Sequence, residues 1–177
     1  IEPLLRTLAV EGGYVHAGPS GAGHLAKLVH NGIEFGMLQA IGEGIALLEA
    51  YNRADDTRVS LNTVEILRVW RHGSVIRSWL IDLLHEGYRD RGGLDSVDDY
   101  VEDTGEVSWL VADAFALEQP VPVIAQSVVQ LFASRLDRNN AARAIAVMRH
   151  GFGGHPFGHS ESLRNERHAS RIGATLQ

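Results

Sequence analysis

Apolar positions recur at helical spacing over most of this chain, and apolar-polar alternation with a period of two is almost absent. Leu4, Leu5 and Leu8 give residues 1–9 a short helical pattern, which Gly12 and Gly13 end before an extended-looking Tyr14-Val15-His16. Glycine is dense from position 18 to position 23. A long pattern then runs from about 24 to 51 through Leu25, Leu28, Val29, Ile33, Leu38, Ile41, Leu47 and Leu48. A helix of that length with few polar interruptions belongs at the centre of a fold. Residues 52–60 are polar and suit a connection, and Asn62 with Glu65 three positions on marks a capped helix start that continues to about Arg71. Gly73-Ser74 breaks and restarts the chain, and Val75, Ile76, Trp79, Leu80, Leu83 and Leu84 form another amphipathic run. After a Gly- and Asp-rich stretch over 89–103, helices are predicted at 111–118, 122–138 and 140–150, with Pro122 in a first turn. The reading is an all-α domain with a long central helix and no internal repeat.

Composition narrows the function classes. The 177 residues suffice for one well-cored domain, and a formal net charge of -6 argues against a nucleic-acid footprint. With no cysteine, disulfides, thiolate nucleophiles and zinc-thiolate centres drop out, which is compatible with a reducing cytoplasm. No stretch approaches the roughly 20 uninterrupted apolar residues that cross a bilayer, so no membrane partner is expected. The chain opens on Ile1 rather than Met, which points to a start inside a longer product.

The candidate chemistry sits in the long pattern. Lys27, His30, Asn31 and Glu34 stand at i, i+3, i+4 and i+7, so a helix gathers them on one narrow stripe, with Leu25, Leu28, Val29 and Ile33 on the other side. Spacing alone fits a solvated stripe as well as a site. Gly32 and Gly36 count against mere solvation, because each costs a helix about 1 kcal/mol relative to Ala and returns nothing on an exposed face. They permit close approach of another helix or of a ligand.

The run Gly-Pro-Ser-Gly-Ala-Gly-His-x-x-Lys-x-x-His-Asn-Gly-Ile-Glu over 18–34 resembles the signature of the 6-phosphogluconate dehydrogenases. Two further stretches agree: Val-Trp-Arg-His-Gly-Ser-Val-Ile-Arg-Ser over 69–78 is similar to the family's Trp-Arg-x-Gly-x-x-Ile-Arg-Ser, and Arg-His-Gly-Phe-Gly-Gly-His over 149–155 to its Arg-x-x-Phe-Gly-x-His. The resemblance implies a division of the chain into the end of a Rossmann domain (1–17), a helical substrate-binding and dimerising domain (18–155) and a tail (156–177). It implies a cytoplasmic homodimer of the short, bacterial-type branch. NADP or NAD would be bound mainly by a Rossmann domain absent from this chain, and no cofactor-binding residue is assigned here.

By the same resemblance Lys27 is the base that takes the C3 hydroxyl proton of 6-phosphogluconate, and Glu34 the acid that protonates C1 of the enediol left after CO₂ departs. A lysine must lose its proton to act so, and desolvation or neighbouring positive charge would favour that. His30 and Asn31 would orient the substrate. Arg77 would bind its phosphate through the forked guanidinium, and Arg149 and His155 would reach into the partner subunit's site. Without the resemblance, Arg77 reads as a surface helix charge, and His150, His155 and His159 as incidental loop histidines or a weak metal-binding pattern. Three positions depart from the family: Phe35 replaces its Tyr, while Ser108 and Leu110 stand where it has Lys or Arg and Thr around Trp109. Losing one charge-assisted hydrogen bond weakens phosphate recognition by about 1.5–3 kcal/mol. A related hydroxyacid or sugar-acid dehydrogenase with a different substrate is therefore an alternative, and a non-catalytic helical dimerisation module is another. The module reading expects Lys27 and Glu34 not to share a cleft.

Overall fold

The computed structural model describes residues 1–54, 60–136 and 138–162. Part of the predicted 52–60 connection, position 137 of the predicted 122–138 helix and residues 163–177 of the tail lie outside these. Among the described residues there are seven helices and no strand: α1 (Glu2–Leu8), α2 (Ala22–Arg53), α3 (Thr63–Gly73), α4 (Trp79–Arg91), α5 (Glu106–Ala116), α6 (Pro122–Ser134) and α7 (Asn140–Gly153). The all-α reading holds. Tyr14-Val15-His16 pairs with no other segment as a strand; Tyr14 instead lies under the Arg6 guanidinium, 4.9 Å from ring centre to charge.

Helix α2 is the axis on which the rest is mounted. Its amino-terminal half packs against α5 and α6, which also pack on each other, and its carboxy-terminal half meets α3, which in turn carries α4. The two halves have separate small cores. In the first, Val107, Leu110 and Ala114 of α5 and Val128 of α6 are buried; in the second, Ile45, Leu67 and Tyr88 join Leu48, Val64, Trp70 and Leu84.

The glycines of α2 explain how close the first packing is. A Cβ on Gly32 would sit 2.5 Å from Leu110 Cδ2 and 3.2 Å from Ile124 Cδ1, and one on Gly36 3.3 Å from Val123 Cγ1. Both glycines therefore admit neighbouring helices. They lie opposite the Lys27 stripe and contribute nothing to the space in front of it.

Local signals set the ends of the other elements. Asn62 Oδ1 accepts from the Glu65 amide at 3.2 Å, the expected cap of α3. The next helix starts later than expected: Val75 and Ile76 belong to a turn, and Ser78 caps α4 by accepting from the Ile81 amide at 3.3 Å. Helix α5 starts five residues before the predicted 111, because Gly105 takes a left-handed conformation (φ 89°) that turns the chain into Glu106. Helix α6 stops at Ser134, where Arg135 turns back to donate to Val101 O at 2.6 Å and pair with Asp103 at 2.7 Å.

The interior is thin for a chain of this size. Trp79, Trp109 and Phe115 are exposed, and so are Ile145, Val147 and Met148 of α7.

Candidate active site

Lys27, His30, Asn31 and Glu34 all lie on the second to fourth turns of α2, and their heads converge on one imidazole nitrogen. The Lys27 ammonium donates to His30 Nδ1 at 3.1 Å. The same nitrogen is 3.4 Å from Asn31 Oδ1 and 3.7 Å from Glu34 Oε2. Helical spacing makes this cluster local, so its internal distances do not depend on how other helices dock.

What faces the cluster is tertiary. A groove of about 630 Å³ separates the front of α2 from the start of α4. Lys27, His30 and Glu34 line one wall beside Val29, Ile33 and Met37, and Ser78, Trp79, Leu80 and Leu83 form the other. Two expectations need correction. Val29 and Ile33 sit in the groove beside the polar stripe, whereas the closely packed back of the helix belongs to Gly32 and Gly36. Asn31 is half-buried and is not among the groove-lining residues, although its carbonyl oxygen approaches His30.

The α4 wall is fixed by Arg71 of α3. Its guanidinium reaches Asp82 at 2.8 Å, His85 Nδ1 at 2.8 Å and Glu86 at 3.3 Å, so three positions on one face of α4 are tied to one side chain. His85 is buried there and accepts from the guanidinium. This is how Ser78 and Trp79, at the free end of α4, are held across from Lys27.

Arg77 immediately precedes Ser78 in the turn before α4, where its amide donates to Ser74 O at 3.1 Å. It is exposed, makes no ion pair among the described residues and does not itself line the groove. Lys27 is exposed as well.

Arg149 and His155 lie apart from this groove's lining, at the end of α7. Gly154 closes that helix in a left-handed conformation (φ 63°), its amide donating to His150 O at 2.9 Å. His150 Nδ1 donates to His155 O at 2.8 Å and its ring stacks on Phe157 at 4.6 Å. The glycines here shape a chain reversal: Gly153 lies directly against the His155 ring.

The departures from the resembled pattern also have places. Leu110 is buried over Gly32, turned into the helix packing, and Phe35 does not line the groove. Ser108 is partly buried on α5.

A polar cluster that the sequence did not announce lies at the other end of α2. The Tyr88 hydroxyl and the Thr63 hydroxyl, the latter at 2.9 Å, both donate to Glu49 Oε1 beside a recess of about 430 Å³. The Tyr88 hydrogen bond, helped by Thr63 and Arg53 against the opposing effect of burial, holds the Glu49 carboxyl below its ordinary value. Burial first, then the adjoining carboxylate, pushes the Tyr88 phenol up. The three residues come from three helices, and no short-range spacing reveals them.

The fold and groove together define an all-α domain that presents a lysine, an imidazole and a carboxylate in line on a central helix. A family profile described as "6-phosphogluconate dehydrogenase, C-terminal domain" matches residues 23–171. The chain is 41% identical over 155 residues, 88% of its length, to the putative 6-phosphogluconate dehydrogenase YqeC of Bacillus subtilis. It is 41% identical over 144 residues, 81% of its length, to the NAD(+)-dependent, decarboxylating 6-phosphogluconate dehydrogenase of Haloferax volcanii. With the decarboxylating enzyme 2 of Saccharomyces cerevisiae it shares 31% identity over 136 residues, 73% of the chain and 27% of the yeast protein. The chain belongs to the 6-phosphogluconate dehydrogenase family and matches its C-terminal domain. It spans about half the length of the first two relatives, 50% and 46%.

Proposed function

We propose that this chain is the substrate-binding and catalytic half of a cytoplasmic enzyme that oxidatively decarboxylates 6-phosphogluconate to ribulose 5-phosphate and CO₂. The observation that carries the reading is the groove in which Lys27, His30 and Glu34 stand side by side opposite Ser78, with Arg77 next in the chain. NAD or NADP supplies the hydride acceptor when bound. By the family resemblance its site belongs mainly to a Rossmann domain rather than to these helices.

Lys27 takes the C3 hydroxyl proton as that carbon is oxidised, and the resulting 3-keto acid loses CO₂ to an enediol. The Lys27 ammonium then faces the oxygen on which charge develops, and Glu34 protonates C1 of the enediol, the former C2 of the substrate. His30 and Asn31 orient the hydroxyls and carboxylate. Arg77 takes the phosphate, completed by Arg149 and His155 of the partner subunit. Support for a homodimer comes from α7, on which Ile145, Val147 and Met148 are exposed.

Ser108 favours a second reading, a sugar-acid dehydrogenase acting on a different substrate, because a phosphate-directed cation of the resembled pattern is missing there. The full-length protein distinguishes the two. Reduced nicotinamide and CO₂ should form in equal amounts from 6-phosphogluconate, with either NAD or NADP, and far more slowly from gluconate. Equal or better turnover of the unphosphorylated acid would transfer the reading to the second class, and no turnover of either would remove both.

A further inference from the structure

Resting on that reading, we infer that His30 carries a proton from Lys27 to Glu34 in every catalytic cycle. The proposed chemistry leaves Lys27 as an ammonium, having taken the hydroxyl proton, and Glu34 as a carboxylate, having given its own to C1. The next cycle needs the opposite: a neutral amine and a protonated acid. Seven residues along a helix separate the two backbones by about 10 Å, too far for a relay to be taken for granted without a group between them. His30 is that group. Its Nδ1 lies 3.1 Å from Lys27 Nζ and 3.7 Å from Glu34 Oε2.

The surroundings of Nδ1 are those of a nitrogen that changes protonation. Lys27 offers it a donor, which requires a lone pair on Nδ1; Asn31 Oδ1 at 3.4 Å and Glu34 Oε2 offer acceptors, which require a proton there. A fixed tautomer satisfies only one side. In the transfer an Nζ–H bond of Lys27 breaks as an Nδ1–H bond forms. That bond then breaks as an O–H bond forms on Glu34, once the longer approach of 3.7 Å has closed. Ammonium and carboxylate become amine and carboxylic acid, His30 begins and ends neutral with its other proton on Nε2, and no co-reactant enters. Across the groove Ser78, Trp79, Leu80 and Leu83 bring no group that titrates near neutrality.

Two experiments test this, and they fail separately from the functional reading. In the 177-residue chain, ¹⁵N NMR of the His30 ring should show a lone pair on Nδ1 and a proton on Nε2 at neutral pH. The Glu34 carboxyl carbon should follow the His30 titration and cease to do so in His30→Gln. A proton resident on Nδ1, or a Glu34 signal blind to His30, overturns the relay whatever the enzyme's substrate. In the full-length protein, His30→Ala should lower kcat roughly 10²-fold. Added imidazoles should restore it in the order of their basicity, whatever the change in Kd for 6-phosphogluconate. A histidine that only orients the substrate would give no rescue ordered by basicity, and that result also overturns the relay. Failure of the unmodified protein to turn over 6-phosphogluconate counts against the functional reading, while the NMR coupling still decides the proton path.

Discussion

Leu110 of α5 closes directly over Gly32 of α2, with its Cδ2 only 2.5 Å from where a Cβ on that glycine would stand. Gly32→Ala gains about 1 kcal/mol of helix propensity and meets an overpacking cost of about 1–3 kcal/mol, because Ile124 blocks the retreat on the other side. The variant should be less stable by about 1 kcal/mol in denaturant unfolding. Leu110→Ala alone costs about 2–5 kcal/mol. Combined, the two substitutions should destabilise by at least about 1 kcal/mol less than their sum, since the second removes the atom that the first strikes. Strict additivity would mean that these residues are not in this contact.

Stability should fall at both ends of the pH range through one cluster. Glu49 is held below its ordinary 4.5, so its contribution is present above that value and lost as pH drops through the lower folded value. Tyr88 is pushed above 10.0, so its contribution is present below that value and lost as pH rises through the folded one. Tyr88→Phe removes both effects at once and should cost about 1.5–3 kcal/mol at neutral pH, the range for a hydrogen bond to a charged group. Unfolding free energies of the two proteins, measured from pH 3 to pH 11, should converge at the extremes. A constant offset across the whole range would assign the loss to packing instead.

Lys27→Met keeps the length of the side chain and removes the nitrogen. In the full-length enzyme kcat should drop by about 10²–10⁴-fold with sugar-acid affinity largely kept, whereas Glu34→Gln should be milder because water can deliver a proton to C1. Rapid-quench turnover at saturating substrate separates the steps. A Lys27→Met enzyme at near-normal rate removes the lysine from the mechanism.

Shared sites are testable by mixing. Full-length Lys27→Met and Arg149→Ala proteins, each inactive alone, should regain about a quarter of normal activity after equal mixing and subunit exchange, as one site in each mixed dimer then has both residues. Persistent inactivity with exchange demonstrated would show that Arg149 serves its own chain or no site.

How much of this was legible in the sequence depended on distance along the chain. The Asn62 cap, the length of α2 and the convergence of Lys27, His30 and Glu34 all arise within one or two helical turns, where spacing determines geometry. The opposing groove wall does not. Nothing in the spacing of Trp79 and Leu83 says that they face Val29 and Ile33, and the glycines of α2 gave a true signal of close approach without saying from which side. Where α5 begins was hidden for a related reason: Gly105 looks like a breaker until its left-handed conformation shows it to be a start. The Glu49–Thr63–Tyr88 cluster spans 39 residues and left no local trace.

Because the polar stripe and the glycine seam occupy opposite sides of one rigid rod, errors on the two sides have different fates. A bulkier residue at Gly32 or Gly36 displaces α2 as a body. Lys27, His30 and Glu34 then travel together, keeping their spacing to one another while their distance to Ser78 and Trp79 changes. Mutational damage to the seam should thus register as altered grip on the substrate, and the chain of proton donors and acceptors should survive it. The helix insulates its polar cluster from its packing, and the groove inherits two independently adjustable dimensions: which groups face it, and how wide a molecule they meet.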